Sequence, residues 1–217
     1  IQLLNIEEKI FMLEDPTKFW DTRHKSVNEW QAGGDKALSI ARNKAFYAHR
    51  LGLLVGILDD YFNRDSLTLL DAGCGKGWLS DQLSAQGHDV CGIDSSETAI
   101  DICKAHRQGT YAVSMLGDFN AVDLFDAVLC VDVLFHILDD DEWLKSVRNI
   151  ASLLTVDGIL VVADDPREER YVMGDYIVHR SMTEYEVALQ ELGFRLLESL
   201  PYRFGGNPNK FLVFQRA

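Results

Sequence analysis

The residues with the clearest chemistry lie in segment 71–77, where an aspartate is followed by three glycines at alternate positions. The apolar run before them predicts a buried strand that ends at Asp71, and a helix is predicted after them, over 78–86. Such glycines let the backbone turn sharply and let a ligand lie against main-chain N–H groups. The spacing fits neither a dinucleotide site nor a phosphate loop. Because Asp71 would repel a phosphate, the loop favours a ligand that carries a cationic amine.

Further acids stand where other predicted strands end. Asp94 follows the apolar run of the second strand, over 89–93, and a carboxylate at that point can accept hydrogen bonds from both hydroxyls of a ribose. Asp118 comes after the third strand, and Asp132 ends the fourth, over 125–132. The acid at the end of the second strand therefore suits a ligand that carries a ribose.

In these residues the chain resembles the class I S-adenosylmethionine-dependent methyltransferases, well over about 67–165 and weakly at the ends. The resemblance implies an α/β fold with a doubly wound, seven-stranded, mostly parallel sheet of order 3-2-1-4-5-7-6, with strand 7 antiparallel and an N-terminal helical lid. It also implies S-adenosylmethionine as the cofactor and S-adenosylhomocysteine as its product. We expect the donor to lie at strands 1 and 4, where the strand order reverses.

The resemblance assigns cofactor-binding roles by position. Asp94 would bind the ribose, Asp118 the adenine amino group, and Tyr47 or Arg50 the carboxylate of the donor. The expected cofactor-binding residues are Asp71, Gly73, Cys74, Gly75, Gly77, Trp78, Asp94, Ser95, Asp118, Phe119, Asp132 and Tyr47.

The elements that carry these residues divide the chain into a helical cap, 1–62, and a core, 63–217, within one domain. In the cap we expect a short helix lined by Ile6, Ile10 and Leu13 and stopped by Pro16. An aromatic and polar cluster over 19–30 follows as a lid candidate. A helix over 40–62, capped by Asp35 or Ser39, comes next.

In the core, Ser95 or Ser96 is expected to cap the second helix, and the acids 139–141 the helix after strand 4. A late helix is expected to begin at Thr183 with Glu186 completing a capping box. Two final strands, over 194–204 and 210–215, form the terminal antiparallel pair.

An aliphatic hydroxyl must lose its proton to a base as the new bond forms, whereas a nitrogen or an aromatic hydroxyl depends less on a strong base. The sequence offers two routes to activate the acceptor. In the first, His136 after strand 4 or His179 after strand 5 is the catalytic base. In the second, Asp132, Asp164 and Asp165 hold Mg²⁺, which polarises the acceptor oxygens. The Asp164-Asp165 pair resembles the metal-binding strand end of catechol O-methyltransferases, where Asp-Asn stands instead. That departure is one reason why we favour the route without a metal.

The composition of the chain limits the kinds of molecule that it is expected to bind and the compartment in which we expect it. The net charge of −13 argues against a nucleic-acid substrate, which needs a basic surface. The four cysteines form no C-x-x-C pair and are expected to be buried thiols in a reducing cytosol. No targeting segment is visible, and the longest apolar run, 51–58, is too short to span a bilayer. We expect a cytoplasmic protein that binds no membrane.

We therefore predict an enzyme that moves a methyl group to a hydroxyl of a small molecule. The polar loop 166–180, rich in His, Arg and Tyr, favours a hydroxyl-rich acceptor such as a sugar or a secondary metabolite. One alternative is a small-molecule N-methyltransferase, although Asp132-Val133-Leu134-Phe135 replaces the Asn/Asp-Pro-Pro-Tyr/Phe motif of enzymes acting on planar amines. The other is a non-catalytic scaffold with the same fold, which predicts a degraded glycine loop.

Overall fold

The computed structural model describes residues 16–34 and 37–217, which form a central sheet covered by helices on both faces. The sheet contains β1 (Thr68–Ala72), β2 (Asp89–Asp94), β3 (Thr110–Val113), β4 (Phe125–Val131), β5 (Leu154–Asp164), β8 (Phe194–Pro201) and β9 (Lys210–Arg216). A separate hairpin, β6 (Tyr171–Met173) and β7 (Ile177–His179), follows β5 in the chain. The described helices are α1 (Pro16–Ser26), α2 (Glu29–Ala32), α3 (Ile40–Tyr61), α4 (Trp78–Ala85), α5 (Glu97–His106), α6 (Asp140–Ser152) and α7 (Met182–Gln190), with a 3₁₀ turn at Leu134–His136.

The strand order of the sheet is β3-β2-β1-β4-β5-β9-β8. Without the hairpin in the count, this is the predicted order 3-2-1-4-5-7-6. β9 runs antiparallel to both of its neighbours, β5 and β8, and the other core pairs are parallel. The predicted fold class is confirmed. The hairpin is an addition that the sequence analysis did not predict, because its strands have only three residues each.

Alternate residues of the central strands pack on opposite faces of the sheet, as the pleat requires. Leu70 and Val128 join a cluster that includes the apolar residues of α6 and α7. Leu69 and Ala127 join a second cluster that includes residues of α3 and α4. Burial of one such leucine stabilises the fold by about 2 kcal/mol. The core therefore holds the strand ends rigid where the functional acids follow.

The N-terminal cap differs from expectation at Pro16, which begins α1. Proline is tolerated at the first helical position, because its missing N–H would have no partner within the helix there. The short helix expected before it, around Ile6, Ile10 and Leu13, lies outside the described residues. The aromatic and polar cluster therefore lies mainly on a helix that its irregular apolar pattern did not predict.

Three predicted helix caps are confirmed. The side chains of Ser39, Ser96 and Asp139 accept hydrogen bonds from backbone N–H groups at the starts of α3, α5 and α6. The alternative cap Asp35 lies outside the described residues.

The start of α7 was predicted two residues too late. Ser181, not Thr183, is the N-cap, and its Oγ accepts from Glu184 N at 3.3 Å. The Glu184 carboxylate accepts from Ser181 N at 2.8 Å, so Glu184 rather than Glu186 completes the capping box. The error arose because the pairs Ser181/Glu184 and Thr183/Glu186 both have the spacing of a capping box.

The division at 62/63 falls between the end of α3 and the start of β1 and stays a prediction. Within 16–34 and 37–217, no helix is long and apolar enough to cross a membrane.

Candidate functional site

A cavity of about 930 Å³ lies at the carboxyl edge of the sheet, a size within the usual range for small-molecule sites. Its walls come from the glycine loop, the ends of β2 and β4, the lid helices, the hairpin and the loop 204–209. One end, the glycine-loop end, is built from the glycine loop, and the other, the hairpin end, from the 3₁₀ turn and the hairpin. The lid helix α1 contributes to both, with His24 against the loop and Trp20 against His136.

The glycine loop is shaped by positive φ angles that favour glycine. At Gly73, with φ of 88°, an added Cβ would lie 2.4 Å from Val133 Cγ2. At Gly77, with φ of 73°, it would lie 2.7 Å from Cys103 Sγ. Larger side chains would strain the backbone and collide with the segments behind it. The loop therefore packs closely while keeping main-chain atoms at the cavity.

Asp94 is oriented by two backbone donors. Its Oδ2 accepts from Gly75 N at 2.9 Å, and its Oδ1 accepts from Ser96 N at 2.9 Å. These bonds join the end of β2 to the glycine loop and fix the carboxylate beside the cavity. Ser95, between Asp94 and Ser96, also lines the cavity.

Asp71 is almost fully buried at the end of β1 and accepts a hydrogen bond from Ser80 Oγ of α4 at 2.6 Å. Burial, with a smaller contribution from the nearby Asp94 carboxylate, raises the pKa of Asp71 to about 6 against the lowering effect of the Ser80 hydrogen bond. The acid is mostly ionised at neutral pH and becomes protonated on mild acidification.

Asp132 stands directly after β4 with φ of 57°, an uncommon conformation for a non-glycine residue and one that often marks functional sites. It forms an ion pair with the buried Arg50, and its Oδ1 accepts from Asn209 Nδ2 at 2.9 Å and Tyr202 OH at 3.2 Å. Burial lowers the pKa of Arg50, but Asp132 more than reverses this and raises it. Arg50 thus remains charged, and Asp132 is its ion-pair partner.

The guanidinium of Arg50 also packs on two aromatic rings. It lies 4.4 Å from the ring centroids of Phe46 and of Tyr47. Tyr47 lines the cavity, and burial raises the pKa of its hydroxyl. The cation therefore joins α3 to the strand end and supports this wall.

His179 and Asp164 form a buried pair at the hairpin. His179 Nδ1 lies 2.5 Å from Asp164 Oδ1, and His179 lines the cavity. Asp164 Oδ2 also accepts from Tyr185 OH at 2.5 Å. A carboxylate at Nδ1 holds the proton on that nitrogen and leaves Nε2 as the basic atom.

His136 lies in the 3₁₀ turn with Nδ1 at 3.0 Å from the carbonyl oxygen of Tyr176. Its ring stacks on Tyr176 at 5.4 Å and contacts Trp20 edge-on at 4.6 Å between centroids. Burial lowers the pKa of His136 to about 4. The ring is therefore neutral near pH 7 and is part of an aromatic wall.

The lid helix α1 is attached by polar contacts to the glycine loop and to the start of α5. The Asp21 carboxylate accepts from Ser96 Oγ and Thr98 N, each at 3.0 Å. Lys76 of the glycine loop donates to Val27 O at 2.9 Å. These bonds hold α1 over the loop.

Comparisons with known proteins agree with this geometry. Residues 69–158 match a family model described as a methyltransferase domain. This part of the chain is therefore similar to a methyltransferase domain. The resemblance to the class I S-adenosylmethionine-dependent methyltransferases is confirmed for this domain and its fold.

A ubiquinone biosynthesis O-methyltransferase of Rickettsia canadensis is 26% identical over 156 residues, which are 69% of this chain and 63% of that protein. The chain thus spans less than two thirds of the length of this relative. The solved magnesium protoporphyrin IX methyltransferase of Synechocystis with bound S-adenosylhomocysteine has a TM-score of 0.75 at 21% identity, covering 94% of this chain and 100% of that one. The 1,6-didemethyltoxoflavin-N1-methyltransferase of Burkholderia thailandensis has a TM-score of 0.65 at 18% identity, covering 99% and 90%. Both structures show the fold.

The methyltransferase domain and its lid bring most of the predicted residues to one cavity. The predicted residues that line it are Tyr47, Asp71, Gly73, Cys74, Gly75, Trp78, Asp94, Ser95, Asp132, His136 and His179. Gly77 lies behind the loop against Cys103. Asp118 is exposed, with an ion pair to Lys145 at 2.5 Å, and Phe119 packs against the core. The roles of Asp118 and Phe119 in adenine binding stay predictions.

The three acids considered for Mg²⁺ are each bound to protein groups. Asp132 and Asp164 have the partners described above, and Asp165 accepts from Tyr171 OH at 2.7 Å and pairs with Arg167 at 2.9 Å. Within the part of the chain that the structure describes, no group of three or more His, Cys, Asp or Glu residues is placed to hold a metal ion.

Sequence reasoning missed the hairpin and with it Tyr176, which lines the hairpin end. The only indication was Gly174, which has φ of 61° in the turn between two short runs that contain Tyr171 and Val178. It also did not pair Arg50 with Asp132, since 82 residues separate them.

Proposed function

We propose that this protein is an S-adenosylmethionine-dependent methyltransferase that methylates a hydroxyl group of a small molecule. The observation that carries the proposal is the buried Asp164–His179 pair, whose histidine lines the same cavity as the glycine loop and Asp94. This arrangement supports a donor site and an acceptor base that share one cavity. The curated relative from Rickettsia canadensis, named as an O-methyltransferase, supports oxygen as the receiving atom.

The residues at the glycine-loop end, the donor end in this proposal, fit a sulfonium nucleoside. An added Cβ at Gly73 or Gly77 would collide with neighbouring side chains, so these positions need glycine. Because glycine has no side chain, main-chain atoms of the loop can approach a ligand closely. The Asp94 carboxylate suits ribose hydroxyls, and Asp71 offers negative charge to an amino group. When bound, S-adenosylmethionine supplies an electrophilic methyl group for in-line displacement.

His179 is the base in this proposal. Its Nε2 accepts the proton of the acceptor hydroxyl as the oxygen attacks, and the Asp164 carboxylate stabilises the imidazolium that forms. Tyr185 OH and Asp165 N hold the carboxylate by hydrogen bonds, so it stays oriented toward His179 Nδ1. The lid and the hairpin exclude water from the two reactants.

His136 is less suited to this role. Its Nδ1 contacts a neutral carbonyl rather than a carboxylate, and burial opposes its protonation. We assign His136 to the wall that positions the acceptor.

The lining of the hairpin end, the acceptor end in this proposal, supports a flat, largely apolar acceptor that carries a hydroxyl. Trp20, Phe135, His136 and Tyr176 bring rings to this end, and Met173 and Ile177 of the hairpin add apolar groups. A sugar would leave several hydroxyls without partners here, at about 1–3 kcal/mol for each buried unpaired group.

The arginines that suggested a sugar acceptor bind elsewhere. Arg167 pairs with Asp165, and Arg170 pairs with Asp140 at 2.8 Å. Neither arginine lines the cavity, so the polar character of loop 166–180 does not describe the acceptor pocket.

The two alternative functions make different demands on the site. An amine acceptor that is neutral when it attacks needs no strong base, so the Asp164–His179 pair would be superfluous. A non-catalytic scaffold would need neither the buried pair nor an intact glycine loop with an oriented Asp94.

The test is methyl transfer from isotopically labelled S-adenosylmethionine to a panel of phenols, aryl amines and glycosides, read by mass spectrometry. We expect label on phenolic hydroxyls and a loss of at least about 10²-fold in turnover for His179→Ala. His106→Ala, at the exposed end of α5, serves as the control. Transfer only to amines, or full turnover by His179→Ala, would contradict the proposal. Unchanged turnover after EDTA treatment would be consistent with the base route, whereas restoration by Mg²⁺ would favour a metal.

A further inference from the structure

His24 of the lid helix has an incomplete set of hydrogen bonds. The residue is only 5% exposed and lines the cavity. Its Nδ1 is buried and has no hydrogen-bond partner in the described part of the chain. A buried polar atom left unpaired costs about 1–3 kcal/mol. An imidazole kept in that state inside a binding cavity indicates that a partner arrives with the ligand.

The position of His24 points to the donor rather than the acceptor. Its Cε1 would lie 3.5 Å from a Cβ placed on Gly75, so the ring lies against the glycine loop. Gly75 N donates to Asp94, and His24 and Asp94 thus approach the same loop residue, one from the lid and one from β2. A ligand group held by Asp94 would therefore lie close to the imidazole ring of His24.

The charge state of His24 favours a hydroxyl as its partner. Burial lowers the pKa of His24, and the Asp94 carboxylate offsets this only in part. A neutral imidazole carries one N–H donor and one acceptor nitrogen, and a hydroxyl can match either.

The lid contacts keep His24 in place. Asp21, three residues earlier on α1, bonds to Ser96 and Thr98, and Lys76 bonds to the carbonyl of Val27 three residues later. The ring is therefore held on both sides along the chain.

We propose that His24 binds a hydroxyl of the donor's ribose, so that the lid helix completes the donor site. This inference rests on the proposed function, because it takes the donor to be S-adenosylmethionine. It adds a contact from outside the Rossmann-like core to those expected at the strand ends.

The test combines S-adenosylhomocysteine binding by calorimetry with thermal unfolding of the free protein. For His24→Phe we expect the dissociation constant to rise about tenfold. We expect the Tm of the free protein to stay the same or to rise, because the substitution removes an unpaired buried atom. His24→Gln keeps a donor and an acceptor and should recover much of the affinity. His106→Phe, on the exposed end of α5, should match the wild type in both measurements.

The combination separates a binding role from a structural one. A lower Tm with unchanged affinity would show that His24 only supports the fold, and affinity within about twofold of the wild type would also overturn the inference. His24→Ala gives the same comparison if Phe does not fit. If the wild type itself fails to bind S-adenosylhomocysteine, the proposed function is wrong and this inference falls with it.

Discussion

The substitution Asp164→Asn tests the role of His179 as the base while leaving the other residues of the site unchanged. Asp164 accepts from His179 Nδ1 and Tyr185 OH at 2.5 Å each and from Asp165 N at 2.7 Å. Asn keeps the shape, but one terminal oxygen becomes an NH₂ donor, so the side chain cannot accept from both His179 and Tyr185. His179 then either loses its partner or adopts the tautomer protonated at Nε2, which cannot receive a proton.

The size of the effect follows from the role of the base. General base catalysis contributes about 10²–10⁴-fold, and we expect kcat to fall by about 10²–10³, or about 3–4 kcal/mol in activation free energy. The affinity for S-adenosylhomocysteine should stay within about twofold of the wild type, because no donor-end residue contacts the substituted group. The loss should also shrink as the acceptor hydroxyl becomes more acidic, since an acidic hydroxyl needs less help to lose its proton.

The assay is single-turnover methyl transfer to phenols of graded acidity. Asp126→Asn is the matched control: Asp126 is also buried and accepts from Thr68 N at 2.8 Å, but it lies at the opposite edge of the sheet. We expect that control to lose stability and keep its kcat. An Asp164→Asn loss that does not vary with acceptor acidity, or an equal loss in Asp126→Asn, would refute the assignment of His179 as the base.

Other predictions concern the donor site and the pH dependence of stability. Asp94→Asn should weaken S-adenosylhomocysteine binding at least about tenfold by calorimetry, and unchanged affinity would refute the donor site. The pKa of Asp71 is raised from 3.8 to about 6. The free energy of unfolding should therefore fall by up to about 3 kcal/mol as the pH rises through that interval, and Asp71→Asn should abolish this fall. The pKa of His136 is lowered from 6.5 to about 4, so stability is lost as pH falls through that interval, and His136→Gln should remove this opposite slope. Urea denaturation at about pH 4.5 and pH 6.5 measures both slopes, and curves parallel to the wild type would contradict them.

The donor end could be predicted from the sequence because its placement depends on short segments. A strand, an acid and closely spaced glycines determine the loop locally, and the order of the strands then places Asp71, Asp94 and Asp132 along one edge. The structure brings these three acids to the cavity as expected. The sequence could not indicate how deeply each acid is buried or which side chain it pairs with. The burial of Asp71 depends on α4, and the pairing of Asp132 depends on Arg50, far away in the chain.

The acceptor end was harder to predict because its parts meet only through long-range contacts. Trp20, His136 and Tyr176 come from three separate segments, and each contributes one ring. Their apolar patterns are short or irregular, so periodicity does not reveal a shared face. The hairpin carrying Tyr176 has strands of three residues, which are too short to give an alternation.

Arg180 shows that the composition of loop 166–180 does not describe the lining of the pocket that the loop helps to build. In the sequence it counts as one more polar group of the loop after strand 5. In the structure it is almost fully buried and donates to Ile137 O at 2.8 Å, Leu138 O at 3.1 Å and Asp140 Oδ1 at 2.8 Å. These bonds tie the end of β7 to the segment that follows His136, and so they hold the hairpin against the 3₁₀ turn. The charged groups of this loop therefore support the pocket wall, and the residues of the loop that line the cavity are Met173, Tyr176, Ile177 and His179.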